Sequence, residues 1–159
     1  METNFAFIDG QNLYKGIENL GWKIDLQKFR VYLKEKHNVI TAYYFIGFIE
    51  GNKKFYKMLE SFGYTLVFKE VLKLTDGTIK GNVDAELVLQ AMKDLDLYNK
   101  AIIVSGDGDY GCLAKYLNSI NKLKLVIAPN KDDSSILLRR ASGGRFASLE
   151  EFRNKLEYK

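Results

Sequence analysis

Four aspartates stand where acids do chemistry: Asp9, Asp84, Asp107 and Asp109. Asp9 ends the apolar run Phe5-Ala6-Phe7-Ile8. Asp107 and Asp109 follow a second run, Ala101-Ile102-Ile103-Val104, inside the glycine-punctuated turn Ser105-Gly106-Asp107-Gly108-Asp109. Such runs read as buried parallel strands, and a carboxylate directly after one is costly unless it has a partner or opens on a cleft. Open α/β sheets form their ligand sites beyond the carboxyl ends of their strands, so these acids are expected at one edge. Gathered there, they repel one another unless a cation lies between them. Aspartate oxygens select Mg2+ or Mn2+, whereas the lone His37 and lone Cys112 cannot build a zinc site.

Each acid also has a plainer explanation. Asp107 and Asp109 are turn formers. Asp84, in the first turn of a helix capped by Asn82, would suit the helix dipole. Glu86, two residues on, falls roughly on the other side of that helix. Neighbouring polar residues carry the same double reading. Asn12 either caps the first helix or orients Asp9 or a phosphate. Ser105 either binds a phosphate or caps its turn. Tyr14 and Tyr110 flank the acidic segments and either pack in the core or stack a base.

The elements that must position these residues alternate along the chain. Strands are expected at residues 5–8, 39–48, 64–72, 101–104 and 123–128, the last ending at the only proline, Pro129. Helices are expected at 12–20, 26–36 after the N-cap Asp25, 52–62 before Gly63, 83–97 and 111–120. A short one is expected from Ser134 or Ser135 to Arg140, and a last one over 149–157 from a Ser148/Glu151 capping box. Asp76-Gly77 marks a hairpin or flap within 73–81. This alternation predicts a parallel sheet with helices on both faces. No linker or repeat interrupts it, so residues 1–159 read as one domain.

The chain has 159 residues, 47% of them hydrophobic and 13% aromatic, enough to fill a sizeable core. One cysteine allows no internal disulfide and suits a reducing compartment. Strand-like sequence begins directly after Met-Glu-Thr-Asn, and no run approaches membrane-spanning length, so a soluble cytoplasmic protein without a leader is expected. The net charge of +4 resides in clusters away from the acids: Lys53/Lys54/Lys57, Lys122/Lys124/Lys131 and Arg139/Arg140/Arg145. Basic patches around an acidic metal site suit a polyanion, although solvated helix faces give the same pattern.

Three segments together resemble the NYN domain, a branch of the PIN-like metal-dependent ribonucleases: Phe7-Ile8-Asp9-Gly10-Gln11-Asn12-Leu13-Tyr14, Lys80-Gly81-Asn82-Val83-Asp84 and Val104-Ser105-Gly106-Asp107-Gly108-Asp109-Tyr110. The resemblance implies a three-layer, Rossmann-like α/β domain with five or six mainly parallel strands. It implies that Asp9, Asp84, Asp107 and Asp109 bind Mg2+ or Mn2+ and cleave RNA by metal-assisted hydrolysis. Substrate contacts would come from Asn12, Lys80, Ser105, Tyr14, Arg139 and Arg140. The expected partner is RNA, single-stranded or structured; a homodimer is allowed and no membrane is expected. Two positions depart from the family pattern. Gln90 stands near where a further Asp often lies, and Tyr110 replaces the usual Phe.

Two other readings compete. A non-catalytic module that binds RNA or recruits partners would keep the fold. A haloacid dehalogenase-type phosphatase would use Asp9, Lys80 and Asp107, but it normally has an acid where this chain has Gln11, and there is no room for a cap domain.

Overall fold

The computed structural model describes residues 2–159 apart from Val71, Thr78 and Gly81, and the backbone alone of residues 72, 73, 79 and 80. The described strands are β1 (Asn4–Asp9), β2 (Val39–Phe48), β3 (Tyr64–Glu70), β4 (Leu72–Lys73), β5 (Ile79–Lys80), β6 (Lys100–Val104), β7 (Leu123–Ala128) and β8 (Phe146–Ser148). The described helices are α1 (Gly10–Asn19), α2 (Leu26–His37), α3 (Lys53–Ser61), α4 (Asp84–Lys93), α5 (Gly111–Ser119), α6 (Ile136–Ala141) and α7 (Arg153–Leu156).

Six strands form one sheet in the order β3-β2-β1-β6-β7-β8, every pair parallel. Numbered by their sequence within this sheet, the strands run 3-2-1-4-5-6, the order of doubly wound nucleotide-binding sheets. The winding reverses between β1 and β6, where the connections on either side diverge and leave a crevice. Ile8 pairs with Tyr44 on one side and Val104 on the other. Asp9 and the turn after Val104 therefore leave the sheet at the same level, beside that crevice.

The sheet is covered on both faces because its central strand is apolar on both faces. Successive residues of β1 point to opposite sides. Ala6 and Ile8 join Leu13, Ile17, Phe29 and Leu33 of α1 and α2. Phe5 and Phe7 join Leu87, Leu113 and Leu117 of α4 and α5. The strands β4 and β5 form a separate antiparallel pair, Leu72 opposite Lys80. The expected hairpin is thus present.

Two sequence expectations need correction, and one strand carries no sequence signal. The helix expected over 83–97 stops at Lys93. The chain must turn there to enter β6, and the turn is held from outside. The Lys122 ammonium donates to the carbonyls of Leu95 and Tyr98, both at 2.5 Å. The Asp94 carboxylate accepts from the Tyr43 hydroxyl at 2.5 Å and the Gln90 amide at 3.0 Å. The expected capping box also fails. Ser148 makes no side-chain cap, and its hydroxyl donates to the Pro129 carbonyl instead. Residues Leu149–Phe152 consequently start as a 3-10 turn, with α7 following. Finally, Phe146–Ser148 is an edge strand too short to show a period in sequence.

Burial of tyrosines gives the fold a pH signature. Tyr32, Tyr43, Tyr44, Tyr64, Tyr98 and Tyr110 are all pushed up, first by desolvation, Tyr43 to about 12. An unfolded tyrosine ionises near pH ~10. Above that pH the folded state holds more protons than the unfolded one, so stability falls as pH rises. Thermal melts are expected to drop progressively between about pH 10 and 12, and Tyr43→Phe should soften the decline while lowering stability at neutral pH. A flat profile across that window would contradict the burial.

Candidate active site

Each acid of the cluster is held by a local backbone device. Asp9 is the N-cap of α1, and its Oδ1 accepts the Asn12 backbone N–H at 3.2 Å. Its Oδ2 accepts the hydroxyl of the buried Tyr110 at 3.0 Å. Asp84 opens α4, and its N–H donates to the Asn82 side chain at 2.8 Å. Asp107 caps the 3-10 turn Gly108–Tyr110 by accepting the Asp109 N–H at 2.9 Å. The turn itself is tied down twice. The Asp107 N–H donates to the Ser105 hydroxyl at 3.0 Å, and the Gly106 N–H donates to the Asn12 side-chain oxygen at 2.9 Å.

The result brings one oxygen each from Asp9, Asp84 and Asp107 within 4.8 Å of one another. Asp9 is buried, at 6% exposure; the other two are partly exposed. Burial pushes the Asp9 carboxyl up. The bonds from Asn12 and Tyr110 oppose that rise, and the charges of Asp84 and Asp107 add to it. The fully exposed Asp109 is also pushed up, first by its hydrogen bond with Asp84 and then by the charges of Asp107 and Asp84. Among the described residues no lysine or arginine forms an ion pair with Asp9, Asp84 or Asp107. A buried carboxylate, two converging neighbours and only oxygen donors fit a hard divalent cation.

The three acids open on a cleft of about 610 Å3. Its walls include Gln11, Asn12 and Lys15 from α1, Asn82 before α4, and Asp133 from the loop after β7. All these segments sit at the carboxyl edge of the sheet. A model of the NYN domain matches residues 5–150.

The chain belongs to the NYN domain family. NYN domains are generally nucleases. The chain is also similar to the Low amplitude and bright protein LabA of Synechococcus elongatus, with 24% identity over 161 residues covering 95% of this chain and 86% of LabA. Its fold is that of a Vibrio parahaemolyticus protein of unknown function known from a crystal structure. That likeness has a TM-score of 0.82 and 21% identity, over 99% of this chain and 96% of the other.

Within this NYN domain the residues singled out from sequence take several different places. Asp9, Asp84 and Asp107 converge, and Asp109 stands beside them, in solvent. The Asn12 side-chain oxygen accepts the Gly106 N–H and so clips that turn to α1, and Asn12 lines the acidic cleft. Ser105 is fully buried, and its hydroxyl accepts the Asp107 N–H within the turn. Tyr110 is fully buried and aimed at Asp9, so it is no stacking platform. Tyr14 is 48% exposed and lines a second cleft beside the first. Arg139 and Arg140 lie in the last turn of α6, outside the described lining of the acidic cleft. The side chain of Lys80 lies outside the described residues. Gln90 is engaged with Asp94, and Glu86 with Lys69 at 3.3 Å. Lys122 and Lys124 bind their own chain, so the cluster they form with Lys131 is no free basic patch.

Sequence reasoning passed over Gln11, Lys15 and Asp133. Gln11 sits inside the first motif, and Lys15 lies one helical turn further on the same face. Asp133 lies in the loop beyond β7 rather than directly at a strand end, so only the fold brings it to the cleft.

Proposed function

We propose that this NYN domain is a divalent-metal-dependent ribonuclease that hydrolyses RNA phosphodiester bonds. The convergence of Asp9, Asp84 and Asp107 at the switch point of the sheet carries the reading. These three acids would hold Mg2+ or Mn2+, with Asp109 contributing directly or through water. The ion would supply an activated water and neutralise charge growing on the phosphate. The bond from phosphorus to a bridging ribose oxygen breaks as the water oxygen attaches, and that ribose oxygen leaves protonated.

The protein's own contribution is alignment. The Tyr110 hydroxyl and Asn12 N–H fix both oxygens of Asp9, so its carboxylate cannot swing. The Asn12 amide and Ser105 hydroxyl hold the turn that presents Asp107. Gln11 and Lys15 line the cleft, and their amide and ammonium would receive backbone phosphates. We take residues 1–159 as one functional unit, since one sheet joins strands from Asn4 to Ser148. No described helix is long and apolar enough to cross a membrane. An exposed, unpaired Cys112 suits a reducing cytoplasm.

The test is cleavage of end-labelled single-stranded and structured RNA by the purified protein with Mn2+, Mg2+ or EDTA. Cutting with either metal and none with EDTA is expected. A folded protein that binds RNA without cutting it under any metal would replace this reading with that of a binding module.

A further inference from the structure

A second cleft, of about 590 Å3, adjoins the acidic one across α1. Gln11 and Lys15 line both. They are four residues apart, so their side chains are neighbours about 5–6 Å apart along one helix ridge. The ridge is therefore a narrow saddle between two hollows, with an ammonium group at its crest.

The two hollows differ in chemistry. The first gathers carboxylates. The second has none among its described lining residues. Its walls are Tyr14, Ile46, Ile49 and Phe55, the buried Tyr44 lies beneath them, and Asn52 supplies an amide. The Tyr14 ring is half exposed and makes no ring contact with any other described aromatic residue. Apolar walls with a few polar groups and a volume of this size are what a small planar ligand requires.

We propose that this second cleft is a nucleobase subsite, in which Tyr14 stacks an unpaired base adjoining the scissile phosphate of the RNA. It deepens the ribonuclease reading and rests on it for the identity of the polymer. Continuity selects the occupant. A strand whose phosphate lies at the acids crosses the Gln11–Lys15 saddle, sets its next phosphate beside the Lys15 ammonium and delivers its next base to the apolar hollow. A phosphate in the hollow itself would meet hydrocarbon and aromatic walls, with Lys15 alone offering charge at the rim. The Asn52 amide can both donate to and accept from a base edge. A base inside a duplex is stacked and paired and cannot enter, so the subsite selects single strands, loops or bulges.

The experiment scans an abasic residue along a labelled single-stranded RNA. Anisotropy reads the affinity with Ca2+ replacing Mg2+, and cleavage is read separately with Mg2+ or Mn2+. The unmodified protein is compared with Tyr14→Ala and Tyr14→Phe. For the unmodified protein, one abasic position is expected to weaken binding about 10-fold. Tyr14→Ala should show the same loss on intact RNA and no further loss at that position, and Tyr14→Phe should restore binding because the stacking face returns. Tyr14 is at the surface, so melting temperatures are expected to match and exclude misfolding. Blunt duplex RNA is expected to bind more weakly than the single strand.

Equal binding across the scan, additive losses from Tyr14→Ala and the abasic site, or duplex bound as tightly as single strand would each overturn the subsite, even if cleavage proceeds. The coupled loss without any metal-dependent cleavage would uphold the subsite and overturn the nuclease. Neither binding nor cleavage would overturn both.

Discussion

Asp107→Asn and Asp9→Asn are each expected to lower metal-dependent RNA cleavage at least about a hundredfold. The amide keeps the shape and one carbonyl oxygen of each side chain, so the Asp109 N–H keeps its acceptor at residue 107 and the Asn12 N–H keeps its acceptor at residue 9. What the substitution removes is charge at the point where three carboxylates meet. A thermal shift gives a readout independent of catalysis. A cation bound to the folded protein alone at a hundred times its dissociation constant stabilises it by about 2.7 kcal/mol, which is roughly 5–10 °C for a chain of this size. The unmodified protein should show that rise with Mn2+ or Mg2+. Both variants should show much less. In metal-free buffer at neutral pH, Asp9→Asn should melt no lower than the unmodified protein. Its carboxyl is held above the usual carboxylate range, so the folded state loses stability as pH rises from about 3.8 through that raised value. Equal metal shifts in all three proteins would remove these acids from the metal site.

Gly10→Ala is expected to cost roughly 2–4 kcal/mol, a fall of about 5–15 °C in Tm. The reason lies in β2 rather than in the site. A Cβ on residue 10 would stand 2.4 Å from a ring carbon of Tyr44 and 2.9 Å from the backbone oxygen of Phe45. Tyr44 is fully buried, and Phe45 lies in a strand paired on both sides, so neither can give way cheaply. Asp9 is the preceding residue, so the displacement should also reduce cleavage by loosening its position. Gly111→Ala is the contrasting case. Its added carbon would meet only the Leu137 carbonyl oxygen, at 3.9 Å, in a helix. That substitution should be neutral or stabilising by up to about 1 kcal/mol. Chemical denaturation of the two variants side by side checks both. An equal loss in both would mean that the close approach at residue 10 is not the cause.

The Asp9-Gly10 pair thus combines two independent demands, one chemical and one steric. The sequence displays the pair but not the difference between its members. Asp9 was legible because a charge after four apolar residues has few inexpensive explanations. The steric demand on Gly10 became visible only when β2 was laid against β1.

The same division holds elsewhere. The apolar runs of β1, β6 and β7 are legible because a central parallel strand must be apolar on both faces. The three-residue β8 was not, since its strand character comes entirely from pairing with β7. The end of α4 is not legible because Leu95 continues the helical spacing of Leu87 and Ala91. What stops the helix is Tyr43 and Lys122, far away in sequence. The cap expected of Ser148 was lost to a long-range bond with Pro129.

By itself, the sequence determined the alternation of strands and helices, the family motifs and the four aspartates, because burial periodicity and the cost of an isolated charge are properties of neighbouring residues. Only the tertiary structure decided which oxygens converge, that Asn12 and Ser105 tie down the turn bearing Asp107, and that Tyr110 points at Asp9 while Tyr14 faces solvent. Those outcomes depend on contacts between positions as far apart as Asp9 and Tyr110. Strand order and crossovers set such contacts, and local sequence carries no record of them.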